Sequence, residues 1–254
     1  MCPADSPLRY DMVTFTIREM TYCGRRMRGL GEGAVSMEEV ACRVVRHLHD
    51  SLVDGEGGPR ACCLVRFFKT HPFGGLDGHL QRFALGLMGG GAPSPEMKCL
   101  TLLGTAGDEP EWNRRSASRA HQAIPLPSEA AVQNIPMLRN VLAQLGLAVS
   151  AVVRPDPALV LDLEPRTYNV FLVPDALGSK YIPAQEGFVV PHRVRSVLGF
   201  GGMLPSADVF MVILFLRIPI SRETADLFKH LSLSVKLALL PFEGAVFAPA
   251  AAAP

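Results

Sequence analysis

RSVLGFGGML (195–204), the turn PSA (205–207) and DVFMVILFLRI (208–218) decide how this chain is read. Two runs rich in β-branched, aromatic and aliphatic residues, joined by so short a turn, predict an antiparallel hairpin. In the second run, Val209 to Leu216 is apolar without a break. A strand with one wet face would alternate, so the unbroken run predicts a central strand covered on both faces. It is the longest apolar run in the chain and far shorter than the about 20 residues a bilayer requires. The apolar excess, 48% hydrophobic against 19% charged residues, therefore belongs inside a soluble fold or against a partner.

Working outward, Ser221 predicts an N-cap, with Glu223 and Asp226 in a first turn where the helix dipole favours anions. Leu227, Phe228, Leu231, Val235, Ala238 and Leu239 then form a helical stripe that Pro241 ends, with Leu233, Leu237 and Leu240 off it. Upstream, Ser36 and Glu39 make a capping-box pattern before Met37, Val40, Ala41, Val44, Val45, Leu48 and Leu52, a helix ending near Asp54. His47 and His49 are two apart and point to different faces, so both are expected to be partly solvated. ACCLVRFF (61–68), MKCLTLLGT (97–105) and YNVFLV (168–173) predict strands, and 78–87 a short helix. Ser128 caps a short helical piece. Pro136 fits the first turn of the next helix, whose face is Leu138, Val141, Leu142 and Leu145 and whose stop is Gly146.

Between strand and helix, AGDEPEWNRRSASRAHQAIPLPS (106–128) has no regular period and holds the only tryptophan. Loops this long inside a compact domain are often functional, which makes it a candidate lid over a ligand. The glycine stretch GLGEG (29–33) follows Arg25, Arg26 and Arg28. It lacks both the Lys-Ser/Thr of a phosphate loop and a preceding strand, and is expected to be a flexible lead-in.

The resulting organisation is an N-terminal arm (1–33), one α+β domain (34–243) with an antiparallel sheet and flanking helices, and an Ala/Pro-rich tail (244–254), a linker or frayed end. A net charge of +1 argues against a nucleic-acid binder, which needs a basic surplus. The first residues show no basic segment followed by an apolar one, so a cytoplasmic location is expected. The six cysteines contain no CxxC pair and read as small core hydrophobes.

The closing segment GFGGMLPSADVFMVILFLRIPISRETADLFKHLSLSVKLALLPF (199–242) resembles GAF-type sensory domains. It looks most like the N-terminal sensor domains of bacterial signalling proteins that lie upstream of histidine kinase or PAS modules. CLTLLGTAGDEPEWN, HQAIPLPS, VVRPDPALVLDLEPRTYNVFLVP and YIPAQEGFVVP carry the same likeness, which spans about residues 40–243. It implies a GAF-like fold holding a small molecule between sheet and lid. The binding candidates are Trp112, Arg114, Arg115, Arg119, His121 and Gln122 in the lid, with Arg66, Phe68, Lys69, Tyr168 and Phe171 on nearby strands. Trp offers a flat apolar wall, Arg a fork for carboxylate or phosphate, and His a donor or a ligand.

The resemblance also implies a homodimer through the terminal helices and a signalling partner in trans, such as a histidine kinase, since no kinase or cyclase signature follows. The expected function is small-molecule sensing without a catalytic output, and the alternative is a ligand-free interaction module acting on a partner kinase. The cofactor stays open. Haem or metal would lean on His121 with His71, His192 or a cysteine, but no pair lies at ligand spacing. A covalent bilin would need a lid cysteine, and residues 100–254 contain none. No GxSxG or HExxH occurs, and Asp108, Glu109 and Glu111 read as solvated turn residues. A Cys99–His121 nucleophile is disfavoured because Cys99 falls in an apolar strand. Some GAF-like proteins reduce free methionine sulfoxide through cysteines, but the cysteines here do not visibly match that pattern. No enzyme is expected, with a cysteine-dependent redox enzyme the remaining alternative.

Overall fold

The structure is a computed structural model that describes residues 9–88, 90–155 and 169–248. The capping residues start helices where the sequence predicts them. Ser36 Oγ accepts from the Glu39 N–H at 3.1 Å and opens α2 (Met37–Ser51). The Glu39 carboxylate accepts from the Val35 N–H rather than from Ser36 itself, so the box closes one residue early. Ser128 caps α4 (Glu129–Gln133), and Pro136 opens α5 (Pro136–Leu145), which stops at Gly146 with φ 73°.

The stretch 29–33, expected to be a flexible lead-in, opens with a 3₁₀ turn at Gly29–Gly31. Ahead of it lies a helix that the sequence reading did not predict, α1 (Ile17–Arg28), started by Thr16, whose N–H donates to Glu19 at 2.7 Å. The final helix is two segments, α7 (Arg222–Leu227) and α8 (Lys229–Leu239), that meet at the fully buried Phe228. The remaining helices are α3 (Gly78–Met88) and α6 (Val149–Val153).

The central sheet has six strands, β3 (Cys62–Pro72), β4 (Lys98–Gly107), β5 (Ala123–Leu126), β6 (Val170–Val173), β7 (Ser196–Met203) and β8 (Val209–Leu216). They lie in the order β5-β4-β3-β8-β7-β6, all antiparallel. Beside it β1 (Tyr10–Asp11) pairs in parallel with β2 (Leu52–Val53). The α+β class is thus the expected one, and β8 lies between β3 and β7. Its residues alternate between two cores. Phe210, Val212, Leu214 and Leu216 join one, and Val209, Met211, Ile213 and Phe215 join the other. An unbroken apolar strand is therefore a period-2 pattern with both faces dry.

The first core lies between the sheet and α1, α2 and α8. Gly104 of β4 lets α2 pack against the strand, since a Cβ there would stand 2.7 Å from the Ala41 carbonyl oxygen. The second core is covered by α4, α5, α6 and irregular segments. Cys62 and Cys63 fall in different cores, as the strand period requires. A bulge between Cys62 and Leu64 leaves Cys63 and Leu64 together in the second.

Polar groups tie the sheet ends. Asp208 in the β7–β8 loop receives Lys69 Nζ at 2.6 Å and Lys98 Nζ at 2.7 Å, and all three side chains are buried. Burial works against the Asp208 charge, but the two ammonium groups outweigh it and hold its carboxyl below the usual range. At the opposite end of the sheet Asp108 pairs with Arg217 at 2.6 Å and lies 3.2 Å from His49 Nε2. His49 is therefore buried, not partly solvated, because its second nitrogen also finds a partner in Asp50 at 3.2 Å. The described part of the tail packs as well. Ala245 and Val246 carbonyls accept from the Met37 and Glu38 N–H groups at the start of α2. Among the described residues no helix is long and apolar enough to cross a membrane.

Candidate functional site

Strand alternation places Leu64, Arg66 and Phe68 of β3 on the side of the second core, next to Ile213 and Phe215 of β8. Above them runs the lid, which begins where β4 ends. Gly107 makes room for Trp112, since a Cβ there would meet the indole at 2.8 Å. The Trp112 carbonyl accepts from Thr105 Oγ1 at 2.8 Å, which pins the turn Pro110–Asn113 to β4. The indole then packs edge-on to Phe188, 5.5 Å away, and to His192, 4.5 Å away. Phe188 stands at 89° to Phe215, 5.0 Å away. Edge-to-face contact is a preferred aromatic geometry, and these rings together wall the space over the sheet.

The space left beneath is a cavity of about 330 Å³, walled by Leu64, Phe68, Trp112, Ile135, Met137, Ile182, Phe188, Ile213 and Phe215. Arg66 and His121 are the polar exceptions in its lining. A second compartment, about 350 Å³, shares Arg66, Trp112 and His121 with the first. It is walled by Thr105, Glu111, Arg114, Ser118 and Arg119, so three arginines face a single glutamate. The two form an apolar inner chamber and a cationic outer one, at the small end of the roughly 300–1,000 Å³ typical of ligand sites.

Arg66 stands at the junction. It makes no ion pair among the described residues, and its buried Nε has no hydrogen-bond partner. Burial lowers its pKa to about 10, so it stays charged at neutral pH. His121 is an exposed residue on the rim of both chambers. The protein atoms crowded around it, and then the Arg66 charge, push its pKa down to about 4, leaving it neutral.

Of the residues proposed from the sequence, Arg66, Phe68, Trp112, Arg114, Arg119 and His121 converge on these chambers. Four others do not, and each has a reason. Arg115 turns away to pair with Glu38 and to lie over the Phe247 ring. Gln122 is buried, donating to the Ser116 and Ser118 carbonyls while its Oε1 meets His79 at 2.7 Å. Lys69 is consumed by Asp208. Phe171 is fully buried against Gly199 in β7. Tyr168 lies outside the described residues. Asp108 is not a merely solvated turn residue, since it binds Arg217 and His49.

Ile135, Met137, Ile182 and Phe188 line the inner chamber but were not among the binding candidates read from the sequence, although 181–191 carries part of the family likeness. Apart from the prolines at 136 and 183, nothing local marks them. The histidines named for a metal disperse. His71 packs on Phe247, His192 on Trp112, and His121 lies beside Arg66. Among the described residues no three His, Cys, Asp or Glu side chains gather as metal ligands. The five described cysteines are unpaired and none lines either chamber. Burial raises the pKa of Cys63 and Cys99 to about 12, so their thiols stay protonated.

No known family model matches the chain, and no curated protein matches it by sequence. Solved structures do. A free methionine-R-sulfoxide reductase from Neisseria meningitidis, in complex with its substrate, is 10% identical with a TM-score of 0.47, over 94% of this chain and 96% of that one. The fRMsr of Staphylococcus aureus, also in complex with its substrate, is 11% identical with a TM-score of 0.44, over 87% of this chain and 95% of that one. Its reduced form gives 11% and 0.43 over 87% and 94%. The expectation that this chain is not an enzyme is corrected here, because the structures it is similar to are those of reductases. At these identities and TM-scores the likeness assigns no role to any residue of this chain.

Proposed function

We propose that this chain binds a small molecule in the two-chambered cavity beneath the lid, with an apolar body in the inner chamber and a polar end in the outer one. The observation that carries this reading is the junction itself. An apolar chamber opens onto a cationic one through three shared residues, Arg66, Trp112 and His121. A ligand that prefers one arrangement of the lid shifts its population toward that arrangement, which is the physical basis of a sensing role. Leu233 and Leu237, exposed one turn apart on α8, are the face through which we propose that two copies associate. A sedimentation run at micromolar concentration that shows only a 27.5 kDa species overturns that association.

Native mass spectrometry of freshly purified protein is the direct test of binding, with Trp112→Ala as the companion variant. Trp112 walls both chambers, so the variant should shed a retained mass or weaken an added ligand with little change in Tm. A large fall in Tm with ligand retention unchanged would assign Trp112 to the core and sink the proposal.

A further inference from the structure

We infer that the ligand carries a carboxylate and that Arg66 is its anchor. This rests on the cavity being a binding site and specifies the chemical class it takes. The argument begins from an imbalance. Charged groups inside proteins are paired, because an ion removed from water without a partner is costly. Lys69 and Lys98, both buried, obey this rule by closing on Asp208. Arg66 does not. It sits in the middle of β3 between Thr105 and Ile213, with its Nε sealed from solvent and unpaired.

A second polar atom on the same wall is also unsatisfied. Ser118 is 8% exposed and its Oγ is buried without a partner. Both residues line the outer chamber, and Arg66 also reaches the inner one. A guanidinium is a planar fork of donors that meets a carboxylate through two parallel hydrogen bonds, and a serine hydroxyl can donate a third. Of the three residues that line both chambers, Arg66 alone carries a fixed charge, and the inner chamber holds no second cation. A carboxylate matches its planar fork and its single charge, whereas the further charge of a phosphate dianion would find no partner at the mouth of the apolar chamber. Arg114 and Arg119 are solvent-exposed and attract anions toward the entrance.

The only tryptophan of the chain walls both chambers, so its emission reports their occupancy. The test titrates the protein, in a carboxylate-free buffer, with 3-phenylpropionate, 3-phenylpropionamide and benzyl phosphate. The acid should bind about tenfold or more tightly than the amide, as expected for a charge-assisted bond. Arg66→Met should bring the acid down to the affinity of the amide and leave the amide unchanged. Its Tm should equal or exceed that of the parent, because an unpaired buried charge has been removed. Arg66→Lys should retain part of the preference through charge alone.

Equal binding of acid and amide overturns the carboxylate assignment while leaving the binding site in place. So does tighter binding of the phosphate, or an acid preference that survives Arg66→Met. A large loss of Tm in Arg66→Met makes Arg66 structural and overturns its role as the anchor. If no probe moves the Trp112 emission, this inference and the binding reading fail together.

Discussion

One face of the sheet is closed and the other is not. On the closed face, α1, α2 and α8 lay continuous apolar stripes along the strands, and Gly104 brings α2 to van der Waals contact with β4. On the open face the cover is made of shorter pieces, α4, α5 and α6 with the lid and the π-helical turn Gln185–Val189. A helix of three or four turns offers a regular ridge that fills the groove beneath it. Short segments broken by prolines offer no such ridge, and rings meeting edge to face wall the space over the sheet. The difference teaches that a cavity needs no special residue. It is what remains when a sheet face is covered in pieces.

This contrast can be broken by experiment. Phe228→Ala, at the junction of α7 and α8, should cost the most, about 3–5 kcal/mol in a urea melt, because the site is fully buried and closely packed. A loss below about 1 kcal/mol would show that this face can also collapse or admit solvent. Gly104→Ala should follow at about 1–3 kcal/mol, since the new methyl meets backbone that no rotamer can move. An unchanged Tm in that variant would refute the close approach of α2.

Acid separates the faces next. Burial pushes the pKa of His47, on α2, down to about 4 against an ordinary 6.5. The neutral form is the folded one, so its contribution is complete above pH 6.5 and is lost as pH falls toward 4. His47 should account for about 2 kcal/mol of the fall in stability between pH 7 and 5, and His47→Phe should reduce the drop by about that much. His121→Phe should reduce it less, although its pKa is also about 4, because His121 is the more exposed residue. The reverse order would place the buried histidine chemistry on the cavity face. The smallest effect is expected at the cavity wall. Met137→Ala, beside space that is already empty, should cost no more than about 1 kcal/mol. It should nevertheless weaken binding of an apolar probe, and a large stability loss would make that wall part of the core.

Helix starts were the most legible part of the fold. Ser36, Ser128, Pro136 and Ser221 each open the helix they predict, because a cap satisfies donors two or three residues away and needs nothing distant. α1 escaped because Arg25, Arg26 and Arg28 drew the reading to charge, while the burial of Cys23 and Met27 depends on α8. Strand β5, AIPL, was hidden by its proline, which is tolerated because β5 is the edge of the sheet. At the site, the lid was legible as an aperiodic segment with a tryptophan. Which of its side chains turn inward was not. Arg114 and Arg115 are neighbours in the chain, yet Arg114 lines the outer chamber and Arg115 reaches across to Glu38 on α2.

The sequence by itself determined that β8 is central and dry on both faces, where the helices begin, and that 106–128 is irregular. Each of these follows from periodicity or capping within a few residues. Only the tertiary structure decided that Arg66 is left without a partner while Lys69, three residues further along the same strand, shares an aspartate with Lys98. Both are cations in one apolar strand, and nothing in their neighbourhood distinguishes them. The difference is set by antiparallel register. It carries Lys69 opposite Phe210, beside the loop that holds Asp208, and Arg66 opposite Ile213, where the cover is a lid with space beneath it.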